Sequence, residues 1–152
     1  WPTGTELTYR WYANGVLIPG AESTTWKLTA AQRGARIEVG VFGRKSADVG
    51  WEATFSPATA TVAAGTLSTA TPTVSGTAVV GTKLKAKTGT WTSGTKLTYR
   101  WYANGKAISK ATASTYTVRK AQKGKRITVK VTGKKSGYTT AAKTSKATAK
   151  VR

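Results

Sequence analysis

The sequence repeats itself at long range. The nine residues LTYRWYANG run from Leu7 to Gly15 and return unchanged from Leu97 to Gly105, an offset of 90 residues. The pattern of residues 31–43 returns over residues 121–133, and about half of the aligned positions are identical. A period this long is typical of duplicated domains rather than of the turns of a solenoid. We therefore expect a chain that extends, displays or binds, rather than one built around a deep catalytic cleft.

The two copies differ at their starts. Trp1 aligns with Trp91, so the first copy has no counterpart of the residues before Trp91, from 72 to 90, which are expected to form about two strands. A sandwich that lacks a pair of strands exposes unpaired edges and apolar surface. We therefore expect either that the chain is a fragment of a longer polypeptide, or that a neighbouring domain or partner chain completes the first repeat.

The repeat also divides the chain into two domains. Residues 1–62 form the incomplete copy, and residues 72–152 form the complete copy. Between them, residues 63–71 (AAGTLSTAT) are small and uncharged, which is typical of a short linker. The sequence therefore predicts two small domains within 152 residues.

Apolar and polar residues alternate with a period of two along most of the chain, which predicts an all-β fold. In the complete copy, Leu97, Tyr99 and Trp101 share one face of a strand, and Asn104-Gly105 then suits a tight hairpin. Further strands are predicted at 72–76, 83–88, 107–108, 114–118 and 127–131, with a last strand whose Ala147, Ala149 and Val151 point inward. Seven short strands in about 80 residues describe a small antiparallel β-sandwich.

Charge is distributed very unevenly between the copies. Residues 1–70 contain six Lys or Arg and five Asp or Glu, which leaves a net charge of +1. Residues 71–152 contain 19 Lys or Arg and no acid, which leaves +19. Self-repulsion on this scale opposes compaction and attracts polyanions. Candidate partners are wall teichoic polymers, nucleic acid and anionic membrane surfaces, and the alternative is a general effect on solubility and adhesion.

The residue types present exclude several kinds of chemistry. The chain has no histidine and no cysteine, which excludes histidine-based triads, thiolate nucleophiles, disulfides and cysteine- or histidine-based zinc sites. No stretch is long and apolar enough to span a membrane, and no glycine-rich phosphate loop stands between a strand and a helix. The only carboxylate side chains are those of Glu6, Glu22, Glu38, Asp48 and Glu52, all in the incomplete copy. We therefore expect no enzyme activity, no cofactor and no metal site.

The cations of the complete copy are the first candidate binding residues. Those expected to point outward from the strands, and to contact a polyanion, are Lys85, Lys87, Arg100, Lys130, Lys146 and Lys150. If neighbouring strands align them, they form one basic face that binds phosphates by releasing counterions. The alternative is a solvated strand exterior, on which lysine protects edges against aggregation.

Aromatic residues are the second candidates, because flat rings pack on sugar faces as they do on bases. Tyr12, Trp51 and Tyr102 are the possible sugar-stacking residues. The two tyrosines alternate outward beside arginines, and Trp51 lies near a one-residue gap between the copies, where a bulge would decide its direction. In contrast, Trp11, Trp101, Trp26 and Tyr116 fall on inward positions and are expected to serve the core.

The motifs together resemble a known group of domains. A strand carrying RWYANG, then a corner and a G-x-R-I-x-V-x-V strand, is similar to bacterial immunoglobulin-like repeats. More narrowly, PTVSGTAVVGTKLKAKTGTW and ITVKVTGKKSGYTT resemble repeats appended to secreted actinobacterial peptidoglycan hydrolases, nucleases and glycosidases. The resemblance covers essentially the whole chain. It implies two tandem immunoglobulin-like β-sandwich repeats, with Trp11 and Trp101 as the tryptophans of the third strand.

From this resemblance and the charge we expect a non-catalytic accessory or spacer module of a secreted or cell-surface protein, outside the cell. The basic copy would tether it to an anionic cell-envelope polymer. Three alternatives remain open: a carbohydrate-binding module, a structural or assembly domain on a filament or virion, and a nucleic-acid-holding appendage of a nuclease.

Overall fold

A computed structural model of the chain describes residues 1–44 and 50–152, so that Asp48 lies outside the described residues. The chain divides into two compact units, Trp1–Ala64 and Gly65–Arg152, called here the first and the second unit. Both are built from antiparallel strands, and the helices within the described residues are two single 3₁₀ turns, Ala30–Gln32 and Lys120–Gln122. None of the described helices has the length and apolar character needed to cross a membrane.

The second unit has seven strands in two sheets. They are β5 (Thr73–Ser75), β6 (Lys83–Lys87), β7 (Lys96–Ala103), β8 (Lys106–Ala107), β9 (Thr115–Thr117), β10 (Ile127–Lys134) and β11 (Ala141–Thr144). One sheet has the order β11-β10-β7-β8 and the other has the order β5-β6-β9. The two sheets contribute to one buried cluster, which makes this unit sandwich-like.

The core of the second unit follows from the alternation of apolar residues. Trp101, Val129 and Val131 are fully buried on the inner face of β7 and β10, and Leu84 of β6 meets them from the other sheet. Trp101 also donates a hydrogen bond from Nε1 to the carbonyl oxygen of Ala113, 2.9 Å away. The inward role expected for Trp101 and Tyr116 is therefore confirmed for this unit.

The first unit repeats the central sheet of the second. Its strands are β1 (Glu6–Ala13), β2 (Val16–Leu17), β3 (Ile37–Arg44) and β4 (Glu52–Phe55), in the order β2-β1-β3-β4. Local contacts are repeated as well: Trp1 packs on Gly43 as Trp91 packs on Gly133, so closely that a Cβ on either glycine would meet the indole ring at about 2.5–2.7 Å. The two copies therefore repeat not only residues but also this side-chain contact.

The second sheet is where the units differ. Residues 25–27, which align with β9, do not form a strand in the first unit. In the second unit β9 pairs with β6, and the described residues of the first unit include no counterpart of β6. A strand needs a neighbour to bond its backbone, so the same segment stays irregular where that neighbour is lacking.

Two expectations about the second unit differ from the structure. The last strand is β11, which ends at Thr144, and of the three residues expected inward beyond it, Ala147 and Ala149 are exposed while Val151 is buried. The strand ends there because a side-chain hydroxyl takes the place of a backbone carbonyl as acceptor: the Ser145 Oγ accepts the N–H of Val129. The expected linker, residues 63–71, also differs: from Gly65 onward it belongs to the second unit, Gly65 bridges to Tyr138, and Leu67, its one large apolar residue, is 5% exposed.

Candidate binding faces

The outer face of the β11-β10-β7-β8 sheet carries a pair of cations. Trp101 and Val129 point into the core, so their neighbours Arg100 and Lys130 point outward. The two are direct partners across β7 and β10, and both are exposed. Tyr102, the next outward residue of β7, is half-buried beside Thr128.

A second row of cations lies on the opposite sheet. Lys83, Lys85 and Lys87 alternate along β6 with the buried Leu84 and Ala86, so all three lysines point away from the core. The six cations predicted from the sequence are all exposed, but they do not share one face, because β6 and β7 belong to different sheets.

The remaining two predicted cations follow β11. Lys146 borders a groove of about 350 Å³ together with residues 71–74. Lys150 forms an isolated antiparallel bridge with Arg126, whose guanidinium donates to the carbonyl oxygen of Thr148 at 3.0 Å. Both lysines are exposed, and each lies beyond the two rows of cations on the sheets.

A concave basic groove is the feature that the sequence reasoning missed. It has a volume of about 550 Å³ and lies between β8, the hairpin at Asn104 and the 3₁₀ turn Lys120–Gln122. Lys106, Arg119 and Lys125 line it. The signal in the sequence was the run RKAQKGKR over residues 119–126, with five cations in eight positions.

The floor of this groove is a buried polar contact. The Tyr116 hydroxyl donates to Oε1 of Gln122 at 2.7 Å, and the backbone N–H of Arg119 donates to the same oxygen at 3.1 Å. Burial raises the pKa of the Tyr116 phenol, and the nearby charge of Arg119 opposes part of that effect. The groove therefore has a hydrogen-bonded neutral floor beneath exposed cationic side chains.

The first unit lacks these three cations. Lys106, Arg119 and Lys125 align with Val16, Thr29 and Ala35, and the two-residue strand and the 3₁₀ turn beside them recur in the first unit. Thr29 caps the 3₁₀ turn with its hydroxyl, which accepts the N–H of Ala31. The fold is thus formed without charge at these positions, and the charge in the second unit needs another explanation.

The outer face of the first unit is aromatic instead. Phe55 lies 5.6 Å from Tyr12 and 5.9 Å from Phe42 between ring centroids, and the Arg10 guanidinium lies 5.2 Å above the Phe42 ring. Gly40 is the cross-strand partner of Phe55, and a Cβ there would meet the Phe55 ring at 2.8 Å. In the second unit the equivalents of Gly40, Phe42 and Phe55 are a lysine and two threonines.

A groove of about 540 Å³ adjoins this aromatic face. Arg10, Glu22, Phe42 and Trp51 line it, and Trp51 is 49% exposed with the Arg44 guanidinium 5.3 Å from its ring. Of the predicted sugar-stacking residues, the structure thus places Tyr12 within the aromatic cluster and Trp51 at the adjoining groove, while Tyr102 lies on the second unit. Both phenylalanines were missed, although each stands at an outward position of its strand.

Compared with known proteins, the sequence matches no family model and finds no match among curated proteins.

Proposed function

We propose that the chain is a pair of immunoglobulin-like repeats, the first lacking its N-terminal strands, and that it is a non-catalytic accessory module of a secreted or cell-surface protein. The second unit holds a partner domain on an anionic cell-envelope polymer. The observation that carries the proposal is a unit with 19 cations and no carboxylate side chain, three of whose cations line one groove.

Repulsion between unpaired cations destabilises a folded unit unless an anionic partner neutralises them. No Lys or Arg of residues 65–152 has a side-chain carboxylate within its own unit, so the repulsion between them is not relieved by ion pairs. A phosphate-bearing polymer relieves that repulsion and releases its own counterions on binding. A concave groove with low-dielectric walls further concentrates the positive potential. Teichoic-type polymers carry repeated negative phosphates on a flexible chain, so their phosphates can adjust to the spacing of the cations.

The direct test is co-sedimentation with purified Gram-positive cell walls, before and after their anionic polymers are stripped, with duplex DNA as a rival polyanion. We expect retention on intact walls, loss on stripped walls, and weaker retention by DNA. Equal retention by DNA would show that the chain binds polyanions non-specifically through its charge. No retention on either wall preparation would contradict the proposal and favour a spacer.

The first unit supplies matched substitutions for the groove. Lys106→Val, Arg119→Thr and Lys125→Ala introduce the residues that already stand at these positions in the first unit. The control variant loses the same charge elsewhere, through Lys96→Gln, Lys134→Gln and Lys143→Gln. We expect the groove variant to bind the polymer at least about tenfold more weakly than the control. An equal loss of affinity in both variants would show that the groove contributes no more to binding than other cations do.

A second function is favoured by the aromatic face of the first unit. The half-buried Phe42 ring and the exposed Trp51 ring lie beside Arg10 and Glu22, and this mixture of apolar surface and few polar groups is typical of ligand sites. Phe42→Thr with Phe55→Thr introduces the second unit's residues and serves as the test. If this unit binds polysaccharide, stripped walls retain the chain at high salt and the double variant loses that retention.

A further inference from the structure

The second unit shows what covers the inner face of such a sheet. The hairpin β5–β6 brings Leu84 and Ala86 onto Trp101 and the valines of β10. β6 pairs with β9 in a register that puts Leu84 opposite Tyr116. Backbone bonds extend the pairing on both sides, from Ala86 N to the Ser114 oxygen and from Val118 N to the Thr82 oxygen, each 2.9 Å.

The same segment of the first unit is unpaired. Among the described residues, the backbone of residues 24–28 makes no hydrogen bond, although the Trp11 indole bonds the Ser23 carbonyl and so holds the segment over the sheet. Leu28 is 45% exposed, whereas its counterpart Val118 is 1% exposed. The Nε1 atom of Trp26 is buried without a partner in the described part of the chain.

The inner face beneath that segment is open as well. Trp11, Val39 and Val41 are only half-buried, whereas their counterparts Trp101, Val129 and Val131 are fully buried. The exposed large apolar side chains of the described residues all belong to the first unit. Open apolar surface next to an unpaired backbone edge marks a site for strand addition.

We infer that a two-stranded β-hairpin of the β5–β6 kind docks on the first unit. Its second strand pairs with residues 24–28 and places an apolar side chain opposite Trp26, as Leu84 stands opposite Tyr116. Its outward positions are polar or cationic, as in the alternating sequence KLKAK of β6. This site is separate from the basic groove and goes beyond the tethering function.

The position of the hairpin follows from the internal repeat. In the second unit β6 ends at Lys87, and three residues then lead to Trp91, which packs on Gly133. Trp1 packs on Gly43 in the same way, so the docked hairpin ends beside Trp1. Residues 24–28 of a second copy are one unpaired segment, which would leave the inner face uncovered, so they do not fit the site as a hairpin does.

The test adds the twenty residues 71–90 directly before Trp1 in the full chain and follows amide hydrogen exchange of residues 24–28. We expect exchange of the Trp26 and Leu28 amides to slow by at least about tenfold, because alternate amides of the segment bond the added strand, as those of Tyr116 and Val118 face β6. Trp26 fluorescence is expected to shift to shorter wavelength. Residues 115–118, already paired with β6, are the internal reference for an intact second unit.

The matched control carries the same added segment with Leu84→Ser and Ala86→Ser within it, which keeps the backbone and removes the apolar contacts. We expect this control to exchange as fast as the chain without the segment. Fast exchange with the unmodified segment, or equal protection by the control, would overturn the inference. Protection in the chain without the segment, together with a dimer in sedimentation, would also overturn it and identify a second copy as the occupant.

Discussion

At the scale of single residues, Asn14 and Asn104 explain how each copy makes its hairpin. Both have positive φ angles, 50° and 47°, which asparagine tolerates better than most residues. Each side-chain Oδ1 also accepts a backbone N–H at 2.8 Å, from Arg36 in the first unit and from Arg126 in the second. One residue type thus serves both the turn and its link to the neighbouring strand.

Substitution of Asn104 separates these two roles. Asn104→Gly keeps the turn but loses the bond to Arg126, and we expect it to lower the free energy of unfolding by about 1 kcal/mol. Asn104→Ala also strains the positive φ, and we expect a loss of about 2 kcal/mol or more. Denaturant unfolding of both variants checks the order. Equal losses would contradict the strain argument.

Tyr116 gives the second unit a dependence on alkaline pH. Burial raises its pKa, so above pH 10 the unfolded chain releases a proton that the folded chain keeps. Its contribution to stability is therefore complete below pH 10 and is lost as the pH rises through the folded pKa. Tyr116→Phe removes this titration along with the hydrogen bond to Gln122, a bond whose loss costs about 1 kcal/mol.

We therefore expect the free-energy difference between the native chain and Tyr116→Phe to shrink above pH 10. The two proteins differ only at position 116, so the effects of all other groups cancel in the difference. Urea unfolding of both proteins from neutral pH to beyond pH 10 measures it. A difference that stays constant with pH would contradict the burial of the phenol.

At the scale of strands, the facing pair Arg100 and Lys130 is expected to destabilise the sheet while contributing to polymer binding. Like charges directly opposite one another destabilise a sheet, and the equivalent pair in the first unit is Arg10 and Gly40. We expect Lys130→Thr to raise the free energy of unfolding by about 0.2–1 kcal/mol. The same variant is expected to weaken binding to the anionic polymer. If the variant is more stable but binds the polymer with unchanged affinity, Lys130 does not contact the polymer.

The sequence was a good guide to elements whose partners lie within the same copy. β7 and β10 were predictable because their alternation is strict and both inner faces are buried. The last strand was misplaced because residues 145–151 keep the alternation while Ser145 and Thr148 hydroxyls take over the bonds. The basic groove was missed because Lys106 meets Arg119 and Lys125 only through the fold.

At the scale of the whole molecule, two related units carry very different charge, about +1 and +19. Screening of like charges stabilises a strongly charged unit and leaves a nearly neutral one unchanged. We therefore expect salt, raised from about 0.01 M to 0.5 M, to increase the free energy of unfolding of the second unit. Hydrogen exchange of the β10 and β3 amides reports the two units separately. An equal effect on both would contradict this account.

The measurement that tests the central claim most directly is the affinity of the full chain for purified teichoic polymer as a function of salt concentration. If the cations of the second unit neutralise several phosphates, the logarithm of the association constant falls linearly with that of the salt concentration, with a slope steeper than about −2. A flat dependence, or no binding at low salt, would contradict the proposal that this module is an electrostatic tether.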